Sequence, residues 1–333
     1  MKLDLRNRQI LYELWQDARI SSSQIARKIG VSREVVDYRI KRLLEEKYIS
    51  HFITMVNTDR LGYVSYNIHL QLKNFDEEKL LGMIKYLSNH PFVKWVVSCS
   101  GKWDLVFTMM AKNKIHFDEL FTDICDKLRD HIADYDILTR IKIYKDLDVV
   151  FLKGEIKSST YWKKKDVPRK VRLDARDLKI LGVLSQNGRM HLLDIAKKVD
   201  LTPEAVNYRM KKLVSQQIIR NYRAVIDVSK LGYLWYMLML DVQNITPKKE
   251  SEIMTFFNDT PNIFYVDKTI GRWNLRVEII TKNHEEFYKI LVDIRNHFQD
   301  ILKSFELLIL FKDCYQVSYA PGMIEELKEE KIV

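Results

Sequence analysis

The sequence predicts an α+β protein built from two copies of one two-domain unit. Three observations support this prediction. Residues recur 170 positions apart, helical periodicity opens each copy, and mixed strand and helix patterns complete it. The recurring pairs include Leu3 with Leu173, Ile10 with Ile180, Arg19 with Arg189, Tyr38 with Tyr208, Gly62 with Gly232, Pro91 with Pro261, Gly101 with Gly271 and Trp103 with Trp273. Two copies of roughly 145 residues indicate a fused pair rather than a solenoid.

Each copy begins with an amphipathic helix. In the second copy, Leu178, Leu181 and Leu184 recur at helical spacing after Asp174, a residue type that caps helix N-termini. The Asn-Gly pair at 187–188 ends this helix. The matching apolar residues of the first copy are Ile10, Leu11 and Leu14.

Two further helices follow, with a tight turn before the last. Ile195 and Val199 mark a short second helix, and Thr202 caps a third that has Pro203 in its first turn. Three helices in this arrangement form a helix-turn-helix. The core positions of the third helix are Val206, Met210 and Leu213, matched by Val36, Ile40 and Leu43 after the cap Ser32.

The remainder of each copy predicts a small sheet domain. Segments 49–56 and 219–226 are rich in β-branched and aromatic residues, as in a wing or tether strand. The patterns that follow in the first copy are strand 66–72, helix 80–87, strands 93–99 and 105–110, helix 115–131 and strand 136–144. This β-α-β-β-α-β order favours a ferredoxin-like fold, with two helices on one face of an antiparallel sheet. The other face then needs a partner.

The repeat divides the chain into six predicted segments. They are a winged helix-turn-helix at 1–62, a ferredoxin-like domain at 63–152, a basic linker at 153–172, a second winged helix-turn-helix at 173–232, a second ferredoxin-like domain at 233–320 and a charged C-terminal tail at 321–333.

The distribution of charge indicates nucleic acid as a partner. The chain has a net charge of +10, from 55 Lys and Arg against 45 Asp and Glu. The excess lies in both helix-turn-helix segments and in the linker, which includes the triplet at 163–165. Positive charge placed in this way favours binding to the phosphate backbone.

Cysteine content and hydropathy exclude several other classes. Cys99, Cys125 and Cys314 are odd in number and lack metal-ligand spacing, so neither a disulfide framework nor a metal site is expected. The longest apolar stretch, at 234–240, is far shorter than the ~20 residues that a membrane span requires. We therefore expect a cytoplasmic protein with no membrane partner.

The motifs resemble those of the Lrp/AsnC family of prokaryotic transcription regulators. The resemblance is carried by 173–181, the Asn-Gly-Arg at 187–189, 195–196, Arg209 and 231–232, and it covers almost the whole chain twice. The first copy departs in having Asn7 where the second has Asp177, and Asp-Ala-Arg at 17–19. The resemblance implies a winged helix-turn-helix joined to a ferredoxin-like effector domain, and dimers that pack their sheets face to face. The fused chain would then form an intrachain pseudo-dimer, which could assemble into a higher homo-oligomer.

Each winged helix-turn-helix segment, at 1–62 and 173–232, is a DNA reader. The third helix of each reader is expected to enter the major groove of double-stranded DNA. Arg33 suits guanine and Asn207 suits adenine, whereas Asp37 suits cytosine, so the two half-sites should differ. The other predicted contacts are Glu34, Tyr38, Lys41, Glu204, Tyr208 and Lys211 along these helices, with Ser32, Arg39, Arg42, Thr202, Arg209 and Lys212 assigned to phosphates. The alternative is that these side chains are solvated helix charges.

A loop in each sheet domain resembles the Gly-x-aromatic-Asp motif of the family, near which relatives bind amino acids or similar small molecules. The predicted effector-binding residues are Gly101, Trp103 and Asp104, with Gly271, Trp273 and Asn274 in the second copy. Asn274 lacks the carboxylate of Asp104, which disfavours amine recognition there. The alternative is a hairpin turn whose Gly gives backbone freedom and whose Trp belongs to the core.

Two other functions stay open: a haem-pathway (tetrapyrrole) decarboxylase of similar architecture, and a DNA-free small-molecule sensor. The eight histidines argue against the enzyme, because none of them has a histidine at the matching position of the other copy. No phosphate loop or nucleophile motif is present either. We therefore predict a non-enzymatic regulator without a cofactor.

Overall fold

The computed structural model describes residues 3–146, 171–317 and 319–329. The elements of the first copy are α1 (Leu5–Gln16), α2 (Ser22–Ile29), α3 (Arg33–Glu45), β1 (Ile49–Val56), β2 (Val64–Leu72), α4 (Glu77–Asn89), β3 (Val93–Ser100), β4 (Leu105–Ala111), α5 (Lys114–Leu128) and β5 (Ile132–Asp146). Most of the predicted basic linker, including the Lys triplet at 163–165, lies outside the described residues.

The second copy repeats this order and adds one helix. Its elements are α6 (Ala175–Gln186), α7 (Leu192–Val199), α8 (Pro203–Ser215), β6 (Ile219–Ile226), β7 (Leu234–Val242), α9 (Pro247–Asp259), β8 (Ile263–Ile270), β9 (Leu275–Thr281), α10 (His284–His297), β10 (Leu302–Gln316) and α11 (Pro321–Glu329). The predicted α+β class and the β-α-β-β-α-β succession are confirmed.

Each three-helix reader forms where apolar spacing and N-terminal caps agree. The Asp4 carboxylate accepts from the Asn7 backbone N–H at 2.8 Å, and Asp174 accepts from the Asp177 backbone N–H at the same distance. These bonds satisfy a donor that the first helical turn leaves open. The predicted periodic residues, such as Leu14, are fully buried in the reader core.

A two-stranded ribbon joins the copies. Strand β1 pairs antiparallel with β6, placing Phe52 opposite Ala224. The segments predicted as wing or tether strands therefore pair with each other across the two copies. Their partnership is not local, because the paired strands are separated by more than 160 positions in the sequence.

The eight remaining strands close into a barrel. Each copy contributes a four-stranded sheet, in the orders β3-β4-β2-β5 and β8-β9-β7-β10. The long strands β5 and β10 then pair with β8 and β3 of the other copy. The inner faces meet in an apolar cluster that includes Trp95, Val97, Met237, Met239 and Leu308. The two sheets thus face each other and are also hydrogen-bonded along their edges.

The C-terminal segment differs from the predicted charged tail. Residues 321–329 form α11, whose Met323, Ile324 and Leu327 are buried. The Ile324 side chain lies against Gly182 of α6, where an added Cβ would stand 3.2 Å from it. The charged residues of this segment mark one face of a helix that packs on the second reader. Among the described residues, no helix has the length and apolar character needed to cross a membrane.

Candidate nucleic-acid interface and effector loops

The α3 helix presents the predicted DNA-contacting side chains to solvent. Arg33, Glu34, Asp37, Tyr38 and Lys41 are all exposed, and Tyr38 is 62% exposed. Arg33 lies 3.4 Å from Asp37, an exposed ion pair that a stronger anion can replace at small cost. The apolar stripe of the helix faces inward, so the outward face is available for a duplex.

The matching α8 helix presents a different set of side chains. Glu204, Tyr208 and Lys211 are exposed, with Tyr208 at 71%, whereas Asn207 is half-buried. Pro203 occupies the position of Arg33 and lies in the first turn. The two outward faces therefore differ in charge and in donors, as the sequence predicts.

Arg39 and Arg209 bind carboxylates inside their own readers. The Arg39 guanidinium donates to Asp4 at 2.8 Å and to the Asn7 side chain at 2.9 Å. Arg209 donates to Asp174 at 2.6 Å and to Asp177 at 2.7 Å. These bonds fasten the third helix of each reader to the first. Their assignment to DNA phosphates stays a prediction, and these contacts weigh against it.

The remaining predicted phosphate contacts also have local partners. Arg42 pairs with Glu46, and Lys212 lies 3.6 Å from the Asp177 carboxylate. The hydroxyls of Ser32 and Thr202 cap their helices by accepting from the backbone N–H groups of Val35 and Ala205. A cap of this kind leaves the neighbouring N–H groups of the helix N-terminus to a phosphate.

Two arginines that were identified only as a matched pair hold the readers together. Arg19 donates to the carbonyls of Gly188 at 3.0 Å and Met190 at 2.9 Å. Arg189 donates reciprocally to the carbonyls of Ala18 and Ile20, the latter at 3.0 Å. The sequence signal was the retention of Arg at both positions. The role of these arginines could not be inferred from the sequence, because it depends on contact between the turns that follow α1 and α6.

The glycines of the predicted effector loops lie against the opposite copy. A Cβ on Gly101 would stand 2.8 Å from the Leu307 carbonyl oxygen, and one on Gly271 would stand 2.8 Å from that of Ile137. Both have positive φ, +138° and +147°. Glycine is therefore required by backbone conformation and by close contact between the copies.

The other loop residues serve the barrel. Trp103 and Trp273 are buried in its interior. The Asp104 carboxylate accepts from the Leu72 backbone N–H at 2.8 Å, and Asn274 accepts from that of Val242 at 2.9 Å. The conversion of Asp to Asn keeps this bond. These contacts account for all six loop residues as structural, and ligand binding by them stays a prediction.

Two exposed third helices, held on a ribbon above a sheet domain, define a helix-turn-helix DNA-binding protein. The family described as winged helix-turn-helix DNA-binding matches residues 3–50 and again residues 173–220. The HTH-type transcriptional regulator FL11 of Pyrococcus horikoshii is 32% identical over 135 residues, covering 40% of this chain and 83% of the relative. FL11 of Pyrococcus furiosus is 31% identical over 134 residues, covering 40% and 82%.

The chain belongs to the Lrp/AsnC family of helix-turn-helix transcriptional regulators, as a tandem fusion of two units. The relatives match a single unit in length. A crystal structure of the siroheme decarboxylase NirDL covers the fusion as a whole, with a TM-score of 0.61 at 17% identity and 98% coverage of both chains. That likeness concerns the fold.

Proposed function

We propose that the chain is a sequence-specific transcription regulator whose two readers bind one DNA duplex at adjacent half-sites. The observation that carries this proposal is that two readers with exposed recognition helices are joined through their turns, where Arg19 and Arg189 each bond to the other reader. A rigid pair of readers binds half-sites at a defined spacing. A small molecule bound by the sheet domains would modulate this binding.

Exposed tyrosines offer a matched test of the DNA interface. Genomic fragments that the purified chain retains are sequenced, and a recovered duplex is used in fluorescence anisotropy. We expect Tyr38→Ala and Tyr208→Ala each to weaken binding by about tenfold, the effect of losing one hydrogen bond to the duplex. Tyr288→Ala removes a tyrosine that is 63% exposed on α10, outside the readers, and should bind as wild type does. Unchanged affinity in both reader variants would refute the proposal.

A tetrapyrrole decarboxylase is the second candidate function. The observation in its favour is the likeness in fold to NirDL over the whole tandem chain, including a structure with an iron-uroporphyrin III analogue. The absence of any histidine retained in both copies argues against it. We propose a non-enzymatic role, which predicts no decarboxylated product when the chain is incubated with an iron-tetrapyrrole and analysed by mass spectrometry. Detection of such a product would establish the second candidate.

A further inference from the structure

A cavity of about 530 Å³ lies between the ribbon and the barrel. Ile53 and Arg223 of the ribbon line one side, and Trp95, Arg140 and Arg276 of the barrel line another. This volume is in the range of small-molecule sites. The cavity is separate from the two predicted effector loops, whose residues do not line it.

The cavity lies on the axis that relates the two copies. Both members of several matched pairs line it, which is possible only where the copies meet. In seven of these pairs one member is charged and the other is not. The pairs are Ser50 with Arg220, Ile53 with Arg223, Lys94 with Phe264, Thr108 with Glu278, Arg140 with Leu310, Ile143 with Asp313, and Asp146 with Gln316. Two identical chains would present every charge twice, once on each side of the axis. In the fused chain each of these seven charges occurs only once.

The lining carries more basic than acidic side chains, although Arg140 and Arg276 are each paired with a carboxylate, Asp59 and Asp267, that does not line the cavity. Its cationic residues are Lys47, Lys94, Arg140, Arg220, Arg223, Arg276 and Lys312, and its acidic residues are Asp146, Asp227, Glu278 and Asp313. Burial raises the pKa of Glu278 to about 7 and the pKa of Asp313 well above its ordinary value. Because these two carboxyl groups are protonated more readily than usual, they offset less of the positive charge near neutral pH.

Within the described part of the chain, two buried donors in the cavity wall have no acceptor. The side-chain oxygen of Asn67 accepts from Thr108 at 2.8 Å, but its Nδ2 has no partner among the described residues. Arg276 donates to Asp267 at 2.8 and 3.2 Å, while its Nη1 is unpartnered within the same part of the chain. Asn67 and Arg276 are only 1% and 3% exposed. Buried donors of this kind are normally paired, and the oxygens of an anionic ligand would pair them.

Lys94 adds a further basic group, on whose charge Asp59 acts from beyond ion-pair distance. Its ammonium has no ion-pair partner within the described ranges, and the side chain is half-buried. Burial, together with the nearby Arg140 and Arg220, lowers the pKa of Lys94 to about 7. A bound anion would favour the charged ammonium and relieve this repulsion.

We propose that the cavity binds a small organic anion carrying two or more carboxylate or phosphate groups, and that Asn67, Lys94 and Arg276 bind its oxygens. Trp15 of α1 and Lys47 after α3 line the same cavity, whereas the matching Ser185 and Gln217 do not. Besides the barrel and the ribbon, the ligand would therefore contact the first reader and not the second. Its effect on DNA binding rests on the proposed function.

Isothermal titration of the full chain tests the site. The probes are citrate and pyrophosphate, with acetate as a single carboxylate for comparison. We expect one citrate or pyrophosphate to bind per chain, more tightly than acetate, and Lys94→Met to weaken binding by about tenfold or more. Lys94→Arg should restore most of the affinity. Lys303→Met, an equal charge change at a residue 62% exposed on β10, should bind as wild type does.

The outcomes separate the two sources of ligand and test the site itself. Tighter citrate binding indicates a polycarboxylate, and tighter pyrophosphate binding indicates a phosphate compound. Absence of binding by both probes would overturn the proposal, and so would equal binding by Lys94→Met, Lys303→Met and wild type. Circular dichroism melting of each variant establishes that a loss of binding is not a loss of folding.

Anisotropy with a bound duplex tests the coupling to DNA. Saturating probe should change the DNA affinity of wild type by about fivefold or more, and Lys94→Met should need about tenfold more probe for the same change. If the probe binds but DNA affinity does not change, the proposed effect on DNA binding is wrong, while the proposed ligand site still holds. If the chain binds no DNA with or without probe, the proposed function fails. The calorimetric result still shows whether the cavity binds an anion.

Discussion

Arg209 neutralises a fully buried carboxylate in the second reader, whereas the matching Arg39 of the first reader has no buried carboxylate to neutralise. Asp177 is 0% exposed, and both Arg209 and Lys212 approach it. The first copy has Asn7 at this position, so its arginine binds a neutral amide and the half-exposed Asp4. One substitution between copies therefore changes a buried salt bridge into an ordinary hydrogen bond.

This difference predicts unequal costs for the same mutation. Arg209→Ala should lower the free energy of unfolding by about 3 kcal/mol, because it leaves a buried carboxylate without its closest cation. Arg39→Ala should cost about 1 kcal/mol. Urea unfolding of the full chain, followed by circular dichroism, measures both. The double variant Arg209→Ala with Asp177→Asn should recover part of the loss, since it recreates the neutral amide of the first copy. Equal losses at the two arginines would contradict this account.

The cavity makes a second prediction at the scale of single residues. The charged groups that act on Lys94 are Arg140 on β5, Arg220 on β6, Arg276 on β9 and Asp59 after β1. Glu278 on β9 and Asp313 on β10 line the same cavity. The pKa of Lys94 is about 7, and a bound anion raises it. Anion binding is then coupled to proton uptake. Affinity should be fully present below pH 7 and should fall as pH rises above it.

Calorimetry across this pH range measures the effect. The affinity for citrate should fall by up to about tenfold per pH unit for one titrating group. Ionisation of Glu278, whose pKa is also about 7, acts in the same direction, because its charge opposes the anion. Lys94→Arg keeps a permanent cation and should show a smaller dependence. An affinity that is constant or rises with pH would contradict protonation of Lys94 on binding.

At the scale of elements, the ribbon and the reciprocal arginines fix the distance between the readers. The Ala18 backbone N–H donates to the Tyr222 carbonyl at 2.8 Å, and the Gly188 N–H donates to that of Phe52 at 2.9 Å. Each reader is therefore fastened to the ribbon strand of the other copy. The arginines Arg19 and Arg189 add bonds between the reader turns themselves.

Removal of these arginines should relax the spacing of the DNA site. In wild type, inserting two base pairs between half-sites rotates one by about a fifth of a turn and should reduce affinity by about tenfold. The double variant Arg19→Ala with Arg189→Ala should bind the original site less tightly and lose less affinity on insertion. Arg129→Ala, an exposed arginine on the first sheet domain, is the control. Identical losses on insertion in all three proteins would show that the arginines do not set the spacing.

The elements themselves were largely predictable, whereas their partners were not. Leu14, Val36 and Leu213 reveal each reader because helical periodicity is a local signal. The pairing of β1 with β6 depends on contacts between distant segments, so no local pattern contains it. The helix α11 was missed because its charged residues suggested a solvated tail, although Met323, Ile324 and Leu327 have helical spacing.

The candidate sites show the same division. The exposed residues of α3 and α8 follow directly from the apolar stripe opposite them, as expected for amphipathic helices. The charged cavity was missed, because Arg276 and Glu278 alternate with apolar residues on a strand and do not reveal whether their face points to solvent or into a barrel. Closure of the barrel buries that face.

At the scale of the whole molecule, fusion allows the sequences of the two copies to diverge while the ribbon and barrel that join them are kept. The copies keep their register across the ribbon and barrel, yet charge differs between them in the cavity and on the recognition helices. Identical subunits cannot acquire such differences, since every mutation appears in both. An asymmetric ligand site and an asymmetric DNA site are therefore available to this chain.

The DNA site should accordingly consist of two unequal halves, separated by about one helical turn or a multiple of it. Arg33 is exposed at the start of α3, and its counterpart Pro203 has no side-chain donor. A bidentate contact by Arg33 or Asn207 is worth about 1 to 3 kcal/mol of base discrimination. Arg33→Ala should relax specificity in one half-site and Asn207→Ala in the other. Selection of bound oligonucleotides by wild type and both variants measures this. A palindromic preferred site, or equal relaxation of both halves by one variant, would show that the readers do not recognise DNA independently.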